Sequence, residues 1–292
     1  MQAHHHSHSS SLIFILSMLF LNSPFNVEAQ SPKLIVRADD MGSSHSANLA
    51  IQKSYTDGIV TSVEVMVVTP WFPEAVKMLT AIPTVDVGLH LTLTSEWENI
   101  KWRPLSCTKS LVDQNGYFYP MRSPHPSYPG QSLAEVKLDL NEIEQEFRAQ
   151  IELALRNIPE LSHLTDHMGC ASVNDSIMNL VKKLAEEYGL VFEPSDLLSF
   201  GYGGQSGSFA EKKSSFLKML ASLEVGKTYL FLDHPGLNDA ELQAIYHIGY
   251  ERVAADRQEV TDVFADPEVK QEIQKLGIKL ISYQEFSSGK VE

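Results

Sequence analysis

Short apolar runs and stretches of helical periodicity alternate along this chain. Leu34-Ile-Val36 reads as a buried strand, and Gly42 with Ser43 and Ser44 breaks it and offers N-caps to a helix through residues 47–51. Residues 61–68 form a second strand rich in β-branched side chains. Pro70 ends it, and Phe72, Ala75, Val76 and Leu79 then fall at helical spacing. In the third strand, 85–93, Leu89, Leu91 and Leu93 share one face while His90, Thr92 and Thr94 share the other. Apolar residues next recur at helical spacing from Leu133 to Leu155, which predicts a helix over 132–157. A strand at 163–169, a helix at 174–188, a short strand at 189–192, a Gly- and Ser-rich loop at 194–208 and a helix at 209–223 follow. The strand that begins at Gly226 runs into Asp233-His-Pro-Gly236, and two helical stretches with a last strand at 279–283 close the chain.

This β-α unit repeats about seven times with no shift of composition to mark a boundary, so the fold class is α/β, with parallel strands covered by helices. A half-polar strand among apolar ones suggests polar side chains lining an interior. A closed or nearly closed parallel β/α barrel of about seven strands accounts for that better than an open doubly wound sheet. Residues 95–131, with Trp97, Trp102, Tyr117, Phe118, Tyr119, Tyr128 and five prolines, are too long for a plain connector and make an inserted loop suited to holding a substrate.

The chain has 292 residues, 43% of them hydrophobic, enough to build a core. A formal charge of −14 argues against nucleic acid as a partner and leaves neutral substrates such as sugars open. Residues 12–21 are apolar apart from Ser17, too short a run to span a bilayer, and Val27 and Ala29 put small residues before a cleavage point at Gln30. Residues 1–29 are therefore expected to be a secretory signal peptide and 30–292 a single exported domain without stable membrane association after cleavage. The n-region is atypical, with four His and no Lys or Arg. Cys107 and Cys170 sit in no framework spacing, and no Cys-x-x-Cys occurs.

The chemistry gathers at strand ends. Asp39-Asp40, His90, His167 and His234 all lie where strands finish, and strand-end groups of a parallel barrel converge on one mouth. One carboxylate and two imidazoles, Asp40, His90 and His167, make a facial site for zinc, magnesium or another divalent ion with room for water and substrate. Successive strand residues point to opposite faces, so Asp39 and Asp40 converge only if the chain is already turning at Asp39.

Ala38-Asp-Asp-Met-Gly42, Thr61-Ser-Val63 with Met66-Val67, Gly88-Leu-His-Leu-Thr92, Asp166-His-Met-Gly169 and His234-Pro-Gly236 together resemble the YdjC-like carbohydrate deacetylases, from about Leu34 to the segment ending at Tyr283. The resemblance implies a distorted β/α barrel and metal-dependent removal of acetyl groups from N-acetylated sugars or oligosaccharides. Position by position, it implies Asp40, His90 and His167 as metal ligands, Asp39 as general base and His234 as general acid. Two features depart from the pattern. Many relatives carry Asp two residues before the second metal His, where this chain has Thr165 followed by Asp166. The long aromatic loop and the export signal also differ from cytoplasmic members acting on chitin disaccharides. An O-acetyl esterase on the same metal site and a carbohydrate-binding protein on this scaffold are the rival expectations. The sequence is compatible with a homo-oligomer and does not identify the sugar.

Overall fold

The computed structural model describes residues 1, 31–192, 197–202 and 207–289; the expected signal segment and parts of the expected 194–208 loop lie outside them. The first strand, β1 (Lys33–Met41), is buried at every position after Lys33. Ser44 caps α1 (His45–Thr56) by accepting the Ala47 N–H. Then come β2 (Ser62–Val65), α2 (Phe72–Thr80), with Pro73 in its first turn, and β3 (Asp86–Leu91). After the long loop the chain forms α3 (Leu140–Asn157), β4 (His163–Asp166), a 3₁₀ segment His167–Val173, α4 (Asp175–Tyr188) and β5 (Val191–Phe192). The C-terminal third holds β6 (Leu198–Phe200), α5 (Phe209–Ser222), β7 (Thr228–Asp233), α6 (Ala240–Gln243), α7 (Val253–Phe264), α8 (Pro267–Lys275), β8 (Lys279–Leu280) and α9 (Tyr283–Ser288).

The strands join in the order β5-β4-β3-β2-β1-β7-β6, with β8 paired to the start of β1, and every ladder is parallel. Lys33 pairs with Thr228 on one side and Lys279 on the other, whereas Arg37 pairs with Leu232 and Ser62. Thus β8 and β2 share one edge of β1, β8 at its start and β2 at its end. The expected parallel barrel is present as a curled sheet with helices outside it.

The period-2 rule sorts the residues of β1 between two environments. Leu34, Val36 and Ala38 join the large apolar cluster with the helices; Ile35 belongs to a smaller cluster with Leu230, Ile281 and Tyr283. Arg37, Asp39, Glu64, His90, His163 and Thr165 are buried polar groups of the same interior. Gly88 makes room among them: a Cβ there would stand 2.2 Å from Glu64 Oε2 and 2.4 Å from His163 Nε2.

Several expected boundaries shift. The helix expected over 132–157 starts at Leu140, because the Leu133 N–H bonds Met121 O and Asp139 provides the N-cap by accepting the Asn141 N–H. The strand expected over 163–169 stops at Asp166, where Met168 and Gly169 take left-handed backbone angles and the Asp166 carboxylate accepts the Ala171 N–H. Among the described residues three helices, α6, α7 and α8, stand between β7 and β8 where two were expected, and α9 follows β8. In the long loop Trp97, Trp102, Phe118 and Tyr128 are buried and pack against the domain, so most of its aromatic surface is not free to stack on a sugar. Cys107 is exposed, Cys170 is buried, and both are free thiols. Among the described residues no helix is long and apolar enough to cross a membrane.

Candidate active site

The Asp pair solves its geometric problem with a bulge. The β1–β2 register shifts between Ala38 and Met41, and Asp40 adopts φ +72°, a left-handed conformation that Asp tolerates better than most residues. The strand therefore runs on to Met41 while both carboxylates turn to the same side. His90 Nε2 lies 3.8 Å from Asp39 Oδ2 and 3.8 Å from Asp40 Oδ1. Gly42, at φ +98°, completes the turn, and its N–H is accepted by Asn48 Oδ1 at 2.6 Å.

Each carboxylate has its own cation. Arg37 is two residues before Asp39 on the same strand face and donates to both of its oxygens, Nε to Oδ1 at 2.7 Å and Nη2 to Oδ2 at 2.9 Å. Arg257, from α7, donates to Asp40 Oδ2 at 2.8 Å, with its guanidinium carbon 5.2 Å from the centre of the Trp97 ring. Burial alone would raise the Asp40 pKa, but Arg257, His234 and His167 outweigh it and hold the group well below the usual carboxylate range.

Asp40, His90 and His167 each offer a ligand atom, all within 4.8 Å of one another, and all three residues are buried. His167 Nδ1 lies 3.2 Å from Asp40 Oδ1, yet neither atom has a hydrogen-bond partner among the described residues. Buried polar atoms are rarely left so, and a shared cation would satisfy both. The other ring nitrogens are engaged: His167 Nε2 stands 3.0 Å from Glu96 Oε2, and His90 Nδ1 stands 2.8 Å from Thr165 Oγ1. These partners orient the rings and leave one nitrogen of each facing Asp40, an arrangement that fits a divalent ion. Burial opposes charge on His167, but Glu96 and Asp40 overcome it and push its pKa up to about 10. Burial, and then the charge of His167, drive that of His90 well down.

His234 follows Asp233, the partner of Ala38 in the β1–β7 ladder, so it enters the same mouth beside Asp39. Its side chain is 35% exposed, against 4% or less for the three candidate ligands. Its backbone N–H donates to Asp233 Oδ1 at 2.8 Å. Desolvation works against a charged His234, but Asp40 and Asp233 prevail and raise its pKa.

A sequence profile of the YdjC-like protein family matches residues 33–275. The chain belongs to the YdjC-like family. Among its relatives in that family, the carbohydrate deacetylase of Enterococcus faecalis is 27% identical over 273 residues, covering 87% of this chain and 98% of its own. Carbohydrate deacetylase 1 of Listeria innocua is 30% identical over 240 residues, covering 82% and 89%. A crystal structure from Enterococcus faecalis, described as a cellobiose-phosphate cleavage protein, superposes with a TM-score of 0.70 at 24% identity over 88% of this chain and 99% of that one, and supports the fold.

Within this YdjC-like framework the sequence-derived residues fall into two groups. Asp39, Asp40, His90 and His167 come together at one point, and His234 lies outside that cluster on the open side of the mouth. Sequence reasoning missed Arg37, Glu64, Glu96 and Arg257. Arg37 and Glu64 carried a signal: a charged residue inside an otherwise buried strand needs an opposite charge on the same face. Glu96 and Arg257 carried none, being an acid in an irregular loop and a base on a helix 217 residues from Asp40.

Proposed function

We propose that this chain is a carbohydrate deacetylase that uses one divalent metal ion to hydrolyse the acetamido group of an N-acetylated saccharide. The buried, unpartnered Asp40 Oδ1 and His167 Nδ1 facing His90 Nε2 carry this reading, together with family relatives named as carbohydrate deacetylases. Asp40, His90 and His167 would hold the ion, which supplies Lewis acidity toward an acyl carbonyl and a water. Asp39, oriented by Arg37, accepts the proton of the attacking water; a carboxylate has lone pairs to spare beyond two guanidinium bonds. His234, half-buried at the mouth and biased toward its charged form, delivers a proton to the departing nitrogen. An amine is a poor leaving group without that proton.

The test is acetate release from a panel of N-acetylated and O-acetylated glycans, after metal removal and after restoring zinc or magnesium singly. Release from N-acetyl substrates that is lost with the metal and regained with one ion is the expected result. Release from O-acetyl substrates alone would make the protein an esterase, and binding without any release would make it a lectin-like protein. We further propose export of residues 30–292, to the periplasm or the medium, as one domain after cleavage following Ala29; N-terminal sequencing of the protein exported by the native host should then begin at Gln30, and an intact leader would overturn it.

A further inference from the structure

The two imidazoles that face Asp40 are supported from behind in different ways. His167 Nε2 meets a carboxylate directly, Glu96 Oε2 at 3.0 Å. His90 Nδ1 meets a hydroxyl instead, Thr165 Oγ1 at 2.8 Å, and that hydroxyl lies 2.7 Å from Glu64 Oε2. An ionised carboxylate only accepts, so the Thr165 proton goes to Glu64 and only an oxygen lone pair remains for His90. A neutral imidazole beside such an acceptor carries its proton on that side. We propose that Thr165, with its proton committed to Glu64, is a positioning residue that holds His90 in the Nδ1–H tautomer and leaves the Nε2 lone pair aimed at the point shared with Asp40 and His167.

The direction of this chain is fixed from its far end. Glu64 Oε1 is 2.7 Å from His163 Nε2, and His163 Nδ1 is 2.6 Å from Ser162 Oγ, which donates to Asp86 Oδ1. Ser162, its proton also given to a carboxylate, can only accept from His163. His163 therefore donates from Nδ1, and whichever of His163 Nε2 and Glu64 Oε1 holds the proton between them, Glu64 Oε2 is left to accept from Thr165. Glu64, His163 and Thr165 are all fully buried, so water does not compete for these bonds. Gly88 makes the arrangement feasible, because any Cβ there would displace the Glu64–His163 contact.

The inference rests on the metal reading of Asp40, His90 and His167, but the tautomer can be read without a metal. Histidine ¹⁵N NMR of the metal-free protein should show His90 as the Nδ1–H form. Thr165→Val, close in shape but unable to accept, should shift His90 toward Nε2–H and weaken zinc or magnesium binding by about 10- to 100-fold in a competition titration. Thr165→Ser should restore both. An Nε2–H signal in the unsubstituted protein, or a Thr165→Val protein with unchanged tautomer and affinity, overturns the proposal. If Thr165→Val does not fold by circular dichroism, the spectra of the unsubstituted and Thr165→Ser proteins still decide it: Nδ1–H in both supports the proposal and Nε2–H in either overturns it. An Nδ1–H His90 in a protein that binds neither ion would support the tautomer assignment and remove the metal reading instead.

Discussion

Asp39 and Asp40 are sequence neighbours with different electrostatic partners, and that difference separates their proposed roles. Both Asp39 oxygens are engaged by Arg37, whereas Asp40 has one oxygen on Arg257 and the other turned toward His167. Asp39→Asn should therefore retain metal binding while lowering turnover by roughly 10²–10⁴-fold, measured as acetate release at saturating metal; undiminished release would mean that another group is the base. His234→Ala should slow an N-acetyl substrate far more than an activated aryl acetate, because a phenolate leaves without a proton and an amine does not. Equal losses on both substrates would remove His234 from proton delivery. Glu96, which no pattern in the sequence announced, should behave as a support for His167: Glu96→Gln is expected to cost about 10- to 100-fold in metal affinity with the fold intact, read by titration of the stripped protein.

Strands β2, β3 and β4 act together as the holder of a buried polar pair. Glu64 and His163 sit on either side of Gly88 in register, and Tyr283 from α9 stacks on His163 with ring centres 4.2 Å apart. Gly88→Ala should force that pair apart and destabilise the protein by about 1–3 kcal/mol in urea unfolding, the usual range for an overpacked core. The pair also sets a pH dependence. Desolvation opposes charge on both groups, but each partner outweighs it for the other, raising the His163 pKa and lowering that of Glu64. The His163 contribution is complete below the unfolded value of about 6.5 and is lost as pH rises through the higher folded value. The Glu64 contribution is complete above about 4.5 and is lost as pH falls through its lower folded value. The stability advantage over Glu64→Gln should thus be largest between those two pH values and shrink toward alkaline pH, as a pH series of unfolding curves would show. An advantage that grows with alkalinity would contradict the assignment of charge.

At the scale of the whole molecule, the long loop works as a wall of the site as well as its cover. Glu96 reaches His167, Trp102 lies edge-on to the same ring, and Trp97 packs on the guanidinium that holds Asp40. Metal binding should therefore be felt by the fold. An ion at a hundred times its dissociation constant should stabilise the protein by about 2.7 kcal/mol, visible as a higher melting temperature that chelation reverses. A melting temperature indifferent to zinc, magnesium and chelator would argue against an ion held by the folded state.

Local pattern was sufficient for the α/β class and the parallel alternation of strands and helices, and it put Asp39, Asp40, His90, His167 and His234 at strand ends, because period and strand-end position are properties of short stretches. Pattern also exposed the conflict in Asp39-Asp40 without resolving it. Tertiary structure alone decided how the conflict ends: a bulge with Asp40 in a left-handed conformation, set by the ladders on either side of β1. It also decided which charges pair, since Arg257 meets Asp40 across 217 residues and Glu64 meets Thr165 across 101. Such partners are chosen by the cost of burying a charge uncompensated, a cost that exists only once distant segments share one interior.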